Sequence, residues 1–161
     1  MNNIQTADLC DQHEEGVRVA DPIGLRSFGG RAAFGGPIST LKVFEDNSLV
    51  RSALEGAGNG RVLVVDAGGS MRCAMVGDQL AVLGVKNGWA GIVVYGCIRD
   101  SHAIGQMDIG VLALGTHPRK SIKKGVGETD IPVRFAGLTF TAGEYLYADH
   151  DGIVVSSEPL L

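Results

Sequence analysis

The sequence predicts an α/β fold, formed by one domain over residues 1–161, and three observations lead to this prediction. The segment RVLVVD at residues 61–66 has four consecutive apolar residues, which is typical of a strand covered on both faces. A helical segment and a second apolar strand, GIVVYG at residues 91–96, follow it, so the three form a βαβ unit with parallel strands. From residue 131 onward, alternating apolar and polar residues predict a β meander. At 161 residues the chain is long enough to bury one core without disulfides.

The first elements in chain order are a helix, a strand and a second helix. Thr6 opens a short helix with the sequence TADLCDQH. Glycine pairs within residues 29–36 indicate loops, and the strand ISTLKVF follows them at residues 38–44. Asp46 can cap the next helix, NSLVRSALE, whose apolar residues share one face and which ends in the turn GAGNG.

The helix of the βαβ unit begins at Asp78, after the loop AGGSMRCAMVG. Asn87-Gly88 stops it, because a residue able to adopt a positive φ commonly ends a helix. After the second strand, the segment HAIGQMDIG predicts a short helix that leads into the strand VLAL.

The segment THPRKSIKKGVGE at residues 116–128 is rich in basic side chains beside glycines. Its basic residues are Arg119, Lys120, Lys123 and Lys124. Such a segment is more often a solvated, flexible loop than a contact for a polyanion or a partner protein, and both interpretations stay open.

Composition and charge exclude several classes of protein. A formal net charge of −4 gives no long-range attraction to nucleic acid, so no direct nucleic-acid partner is expected. No apolar run approaches the roughly 20 residues of a membrane span, and the N-terminus lacks the basic and apolar regions of a signal peptide. We therefore expect a cytoplasmic protein that does not bind membranes. Three cysteines without a CxxC pair and four scattered histidines disfavour a disulfide framework and a zinc site.

Three charged side chains within residues 77–100 are placed where a site can form. Asp78 starts the predicted helix, and Arg99 and Asp100 follow the second strand. Because strand carboxyl ends and helix N-termini face one crevice in α/β units, these side chains are expected to meet. Two carboxylates and a guanidinium beside open backbone N–H groups can hold a divalent cation and an anionic substrate. The commoner alternative is that Asp78 only caps a helix and that Arg99-Asp100 is a surface ion pair.

Five segments of the sequence resemble the RraA-like family, and together they cover nearly the whole chain. They are VFEDNSLVR, RVLVVDAGGSMRCAMVGD, GWAGIVVYGCIRD, LGTHPRKS and YADHDGIVVS. The family contains the regulator of ribonuclease E activity A and the class II 4-hydroxy-4-methyl-2-oxoglutarate aldolases, which also decarboxylate oxaloacetate. Its aldolase members resemble one another in an Asp, then twenty residues, then Arg-Asp, and this chain has Asp78, twenty residues and Arg99-Asp100.

The resemblance implies a metal-dependent lyase and assigns roles to individual residues. The implied substrate-binding residues are Gly77, Asp78, Gln79, Leu80 and Arg99, and the substrate is a small α-keto acid. Asp100 would hold a divalent cation, Mg²⁺ or Mn²⁺. The metal and Arg99 would stabilise the pyruvate enolate left by retro-aldol cleavage or by loss of CO₂. Asp78, the second catalytic residue beside Arg99, would orient or deprotonate a water for proton transfer.

The resemblance also implies a fold and an assembly: a swivelling β/β/α-type three-layer sandwich that forms a homotrimer with sites near subunit boundaries. Regulatory members often lack one or both carboxylates, so their presence here favours an enzyme. The alternative is a non-enzymatic regulator that binds and inhibits ribonuclease E. Longer aldolase members add acidic residues in a C-terminal extension, whereas this sequence ends at Leu161, which implies a different substrate range. Methyl transfer, sometimes ascribed to this family, is not favoured because no glycine-rich cofactor loop lies before an acidic strand end.

Overall fold

A ten-stranded mixed sheet forms the centre of the computed structural model, which describes residues 3–161. Its helices are α1 (Thr6–Gln12), α2 (Ser48–Glu55), α3 (Asp78–Lys86) and α4 (Ser101–Ile104). Its strands are β1 (Arg18–Val19), β2 (Arg26–Ser27), β3 (Phe34–Lys42), β4 (Val62–Asp66), β5 (Ala74–Val76), β6 (Gly91–Ile98), β7 (Gly110–Thr116), β8 (Glu128–Thr129), β9 (Val133–Phe135), β10 (Leu138–Phe140), β11 (Tyr145–Asp149) and β12 (Gly152–Ser156). The predicted α/β fold is confirmed.

The middle of the sheet is parallel and its flanks are antiparallel. Strands β3, β4, β6 and β7 lie in that spatial order with parallel pairing, and the connections between them contain α2, α3 and α4 in turn. This arrangement confirms the parallel βαβ unit. Strands β11, β12 and β1 extend the sheet beyond β3, and β2 pairs with β7 on the other side, all antiparallel. The short strand β5 pairs in parallel with the carboxyl half of β6.

Alternate side chains of β4 belong to two hydrophobic cores, one on each face of the sheet. Leu63 and Val65 lie in the core that also contains Leu54 of α2. Val62 and Val64 lie in the core that also contains Phe135 and Phe140, which belong to the β9–β10 hairpin. All five residues of β4 are buried, as predicted for a strand covered on both faces. The layers are thus helices, central sheet and a smaller β layer.

The strand predicted at residues 38–44 is longer at its start than the sequence indicated. Strand β3 begins at Phe34, and Gly36 pairs with Leu146 of β11. The glycines in the sequence predict a turn, but a Cβ atom on Gly36 would lie 2.0 Å from the carbonyl oxygen of Gly60. Gly36 is therefore small because another backbone passes against it, which sequence alone does not reveal.

Two further local predictions differ from the structure. The segment after β4 is predicted as a loop, but it contains the short strand β5. Within the sheet, β5 pairs with β6. The C-terminal strands do not form one meander, because β9 and β10 make a separate two-stranded sheet. The Phe135 ring stacks on Tyr95 of β6 with centroids 4.9 Å apart, so this hairpin packs on the face of the large sheet rather than at its edge.

None of the helices within residues 3–161 is both long enough and apolar enough to span a membrane.

Candidate active site

Two parallel strands, β5 and β6, end side by side at one edge of the sheet, and the candidate site lies there. Val76 of β5 pairs with Ile98 of β6, the last residue of each strand. The N–H of Arg99 donates to the carbonyl oxygen of Val76 at 2.9 Å, which extends the pairing by one residue. The first turn of α3 and the residues after β6 consequently leave the sheet at the same point.

The N-terminus of α3 holds the carboxylate of Asp100 in a defined orientation. The Oδ2 atom of Asp100 accepts a hydrogen bond from the N–H of Asp78 at 3.0 Å. Asp100 has a φ of 56°, a left-handed conformation that Asp and Asn tolerate better than most other residues. A negative charge at a helix N-terminus is also favoured by the helix dipole. The carboxylate is therefore fixed although the residue remains exposed.

Gly77 gives the Asp100 carboxylate the space that it occupies. A Cβ atom built on Gly77 would lie 2.8 Å from Oδ2 of Asp100 and 3.4 Å from Nε of Arg99. The first of these distances is too short for real Cβ contacts, so a side chain here would displace the carboxylate. Glycine before α3 therefore lets the Asp100 carboxylate reach the helix in this orientation.

The first turn of α3 leaves polar groups available to a ligand. The Oδ1 atom of Asp78 accepts the N–H of Gln79 at 2.8 Å, while its Oδ2 accepts no hydrogen bond from residues 3–161. Within the same residues the N–H of Leu80 has no acceptor, because the helical pattern starts with the N–H of Ala81 bonded to the carbonyl oxygen of Gly77 at 3.1 Å. An anion or a water can bind these groups.

A crevice of about 130 Å³ brings together every residue that the sequence analysis assigned to the site. Those residues are Gly77, Asp78, Gln79, Leu80, Arg99 and Asp100. The crevice is also lined by residues to which the sequence analysis gave no role in the site: Asn47, Arg51, Ala74, Lys120 and Lys123. Asn47 and Arg51 lie one helical turn apart at the start of α2 and so face the same way.

Lys120 and Lys123 belong to the basic loop, which we define as residues 119–126. The sequence favoured a solvated, flexible loop here; its residues are exposed except Ser121, and backbone hydrogen bonds attach it to neighbouring segments. The N–H of Ala74 donates to the carbonyl oxygen of Arg119 at 2.8 Å, and the N–H of Ile122 donates to the carbonyl oxygen of Glu45 at 3.0 Å. These contacts hold the start and the middle of the loop against the rim of the crevice. The cluster of basic residues beside glycines was the signal from which the lysines could have been found.

The crevice carries more positive than negative charge. It is lined by four cationic side chains, those of Arg51, Arg99, Lys120 and Lys123, against the carboxylates of Asp78 and Asp100. Within residues 3–161, Arg51 pairs only with Glu55, at 3.7 Å, and the other three cations form no ion pair. These cations are consequently available to bind the carboxylates of an anionic ligand.

The oxygen donors of the crevice fit a hard divalent cation. No group of three His, Cys, Asp or Glu side chains within residues 3–161 is arranged to hold a metal, so a closed protein cage is not formed in that part of the chain. Mg²⁺ and Mn²⁺ do not need one, since one or two carboxylates with waters and substrate oxygens suffice for such ions. Asp100 supplies a carboxylate that α3 has already oriented, so it is the residue that would hold the ion.

A larger cavity elsewhere lacks this chemistry. It has a volume of about 320 Å³. Its lining comes from β3, from Tyr145 and Tyr147 of β11, and from residues near both ends of the described chain. Its basic side chain, Arg31, is already paired with Asp108 at 3.1 Å. We therefore place the candidate site in the smaller, charged crevice.

Comparison with known sequences gives a family and close relatives. The model of the RraA-like family, described as Aldolase/RraA, matches residues 6–155. A protein of Aromatoleum aromaticum is 69% identical over 158 residues, which are 98% of this chain and 99% of that protein. It is provisionally named a 4-hydroxy-4-methyl-2-oxoglutarate aldolase.

Two solved structures share the fold over nearly their full lengths. A Geobacillus kaustophilus protein, named S-adenosylmethionine:2-dimethylmenaquinone methyltransferase, has a TM-score of 0.95 and 50% identity, covering 98% of this chain and 97% of that one. The RNA-processing inhibitor RraA of Thermus thermophilus has a TM-score of 0.94 and 46% identity, covering 100% of this chain and 96% of that one.

Proposed function

The chain belongs to the RraA-like family, and on this premise we propose that it is a divalent-metal-dependent lyase. It cleaves 4-hydroxy-4-methyl-2-oxoglutarate to pyruvate by a retro-aldol reaction and decarboxylates oxaloacetate. The observation that carries the proposal is the placement of Arg99 and Asp100 against the first turn of α3, in a crevice lined by further cations. The aldolase name of a relative that is 69% identical supports the reaction class.

Both substrates carry two carboxylates and a keto group, which suits the charges of the crevice. Arg99 is half-buried at the end of β6, and its planar guanidinium binds the carboxylate next to the keto group. The free N–H of Leu80 donates to the same end of the substrate. Lys120, Lys123 and Arg51 line the crevice as well and bind the second carboxylate. This division explains why the site needs more positive than negative charge.

Asp100 is the residue that would hold the metal ion, together with waters and substrate oxygens. When bound, the ion supplies Lewis-acid polarisation of the substrate keto group. The hydrogen bond from the N–H of Asp78 keeps the Asp100 carboxylate in place before substrate arrives. That preorganisation lowers the cost of assembling the site during turnover.

Bond cleavage requires a base and a place for the released electrons. Asp78, through its free Oδ2, orients a water that removes the proton of the C4 hydroxyl of 4-hydroxy-4-methyl-2-oxoglutarate. The C3–C4 bond breaks, its electrons form the pyruvate enolate, and Arg99 stabilises the negative charge on that enolate. The proton returns to C3 through the same water. Oxaloacetate gives the same enolate when its C3–C4 bond breaks and CO₂ leaves.

The test is a coupled assay of pyruvate formation from each substrate with Mg²⁺ or with EDTA. The rate without protein must be subtracted, because free Mg²⁺ itself slowly decarboxylates oxaloacetate. We expect turnover that needs both protein and metal. Turnover that survives EDTA, or no turnover of either substrate, would reject the proposal.

A second candidate function is regulation of ribonuclease E by direct binding. The observation that favours it is the likeness to the Thermus RNA-processing inhibitor at 46% identity and a TM-score of 0.94. Co-precipitation with purified ribonuclease E and inhibition of RNA cleavage at micromolar protein would support this role. The two functions are compatible, since an inhibitory surface need not overlap the crevice.

Methyl transfer, the activity in the name of the Geobacillus protein, is not proposed. A nucleotide-type cofactor loop follows a strand and opens a helix, so that backbone N–H groups can face the ligand. In this chain the glycine pair after β4, Gly68-Gly69, leads into β5 and not into a helix. The glycine cluster at residues 56–60 comes before β4.

We further propose a homotrimer, in keeping with the family resemblance. Phe44 and Val126 are 57% and 65% exposed and line one shallow cavity, so an apolar surface is available for a subunit contact. Light scattering at micromolar concentration should give about three times the chain mass. A mass near 16.8 kDa would contradict the trimer.

A further inference from the structure

Asp46, between β3 and α2, is a buried carboxylate that joins two distant parts of the chain. Only 2% of the residue is exposed. Its Oδ1 atom accepts hydrogen bonds from the N–H and the hydroxyl of Ser48, at 2.9 and 2.7 Å. Its Oδ2 atom accepts the N–H groups of Lys124 and Val126, at 2.9 and 3.1 Å. One side chain thus fixes the start of α2 to the basic loop.

Neighbouring contacts repeat this attachment. The N–H of Asn47 donates to the carbonyl oxygen of Ile122 at 3.3 Å, and the N–H of Gly125 donates to the hydroxyl of Ser48 at 3.1 Å. Lys123 lies between the attached residues, and its side chain lines the crevice. The position of this lysine therefore depends on the Asp46 contacts.

We propose that Asp46 is a positioning residue for the reaction: it holds the basic loop so that Lys123 binds the second carboxylate of the substrate. Asp46 itself does not line the crevice, so it acts through the loop. This inference rests on the proposed function, because that function supplies the dicarboxylate substrate.

The ionisation of Asp46 suits a permanent attachment. Burial opposes the charged form, but the hydrogen bonds from Ser48, Val126 and Lys124 outweigh it and hold the pKa of Asp46 well below its ordinary value of 3.8. Because the pKa is lowered in the folded protein, the charged Asp46 stabilises the fold at every pH above its ordinary pKa of 3.8. This stabilisation is lost only as the pH falls below that value. The loop is consequently held at every pH near neutrality.

Glu45 provides a matched control in the neighbouring position. Its Oε1 atom accepts hydrogen bonds from the hydroxyl of Ser70 and from Nε of Arg72, at 2.8 and 2.6 Å. This carboxylate also attaches a loop, but neither Ser70 nor Arg72 lines the crevice. Glu45→Gln should therefore leave substrate binding unchanged.

The first measurement does not depend on turnover. Asp46→Asn keeps the side-chain size but replaces one acceptor oxygen with an NH₂ group, which cannot accept from an N–H. Amide hydrogen exchange of Lys124 and Val126, followed by NMR in the whole protein, should become at least about tenfold faster in Asp46→Asn. Glu45→Gln should not change it.

The second measurement separates positioning from general damage. Lysines that bind a distant carboxylate act equally on bound substrate and transition state, so their loss raises KM and leaves kcat nearly unchanged. We expect Asp46→Asn and Lys123→Ala each to raise the KM for 4-hydroxy-4-methyl-2-oxoglutarate several-fold, because that substrate keeps its second carboxylate through the reaction, whereas oxaloacetate loses it as CO₂. The double variant should be no worse than the worse single one, because both changes remove the same contact.

Each result decides the proposal. The proposal would be overturned by any of three results: unchanged amide exchange in Asp46→Asn, an unchanged KM despite faster exchange, or additive increases of KM in the double variant. If Asp46→Asn fails to fold, Ser48→Ala removes the acceptor of the Gly125 N–H and should shift exchange and KM less, in the same direction; no shift would overturn it. A wild type without turnover would reject the proposed function, while the exchange rates would separately accept or reject the attachment.

Discussion

The crevice at Asp100 and the larger cavity beside Tyr147 both depend on glycine, but for different reasons. In the crevice, a Cβ on Gly77 would lie 2.8 Å from a carboxylate oxygen of Asp100. Beside the cavity, a Cβ on Gly36 would lie 2.0 Å from the backbone oxygen of Gly60. Gly77 makes room for a group that can bind a metal, whereas Gly36 makes room for packing between strands.

Cavity size is a poor guide to the candidate site in this protein. The cavity is larger, about 320 against 130 Å³, yet its basic side chain is already neutralised by Asp108. The crevice is smaller but is lined by oriented polar groups. Changes in the crevice should therefore reduce activity without reducing stability. Changes at Gly36 should reduce stability without reducing the activity of the folded protein.

The largest effect is expected from Asp100→Asn. Asn tolerates the left-handed backbone and can still accept the N–H of Asp78, but it cannot supply a negative charge to a cation. We expect turnover to fall at least about 10²–10³-fold, the usual loss for an electrostatic group in an active site, with an unchanged melting temperature. Asp130→Asn is the control, because Asp130 is exposed and has a φ of 58° but lies outside the crevice. An active Asp100→Asn protein would remove the distinction between the two regions.

Arg99→Lys should come next, with a loss of about 10² in kcat/KM. The ammonium group keeps the charge but cannot form the two parallel hydrogen bonds that a guanidinium makes with a carboxylate. Steady-state kinetics on oxaloacetate measures the change, and Arg119→Lys on the exposed part of the basic loop should behave like wild type. Equal activity of the Arg99→Lys protein would mean that position 99 supplies only charge.

The two glycines give a paired prediction with smaller effects. Gly36→Ala should lower the free energy of unfolding by about 1–3 kcal/mol, because a backbone oxygen must move, while kcat of the folded protein is retained. Gly77→Ala should change the free energy of unfolding by less than about 0.5 kcal/mol and reduce turnover roughly tenfold, since only the Asp100 side chain must move. Chemical denaturation and the coupled assay measure both variants. The opposite pattern would show that Gly77 serves packing.

The fold was predictable where a pattern is local. Strand β4 was recognised because four apolar residues in a row need no knowledge of their partners. The start of β3 was missed, since Gly36 looks like a turn signal until the backbone of Gly60 is seen against it. The separation of the β9–β10 hairpin from the rest of the predicted meander was not predictable, because its place is decided by the packing of Phe135 on Tyr95.

The site was predictable to the same extent. Asp78, Arg99 and Asp100 lie at the ends of neighbouring elements of one βαβ unit, so topology alone brings them together. The basic cluster marks Lys123 in the sequence but does not place it beside the crevice, because its position depends on a carboxylate 78 residues before Lys124. A buried Asp that joins two loops has no local sequence signal beyond its own presence.

The most direct measurement is exchange of the methyl protons of pyruvate in D₂O, followed by ¹H NMR. Formation of the enolate in the crevice breaks a methyl C–H bond but no C–C bond, and return of deuterium from the solvent replaces these protons. Wild-type protein with Mg²⁺ should remove the methyl signal far faster than Mg²⁺ alone, and both EDTA and Asp100→Asn should return the rate to that background. Exchange that continues in EDTA, or that is as fast in Asp100→Asn as in wild type, would contradict the assignment of the Asp100 crevice as the place where the enolate forms.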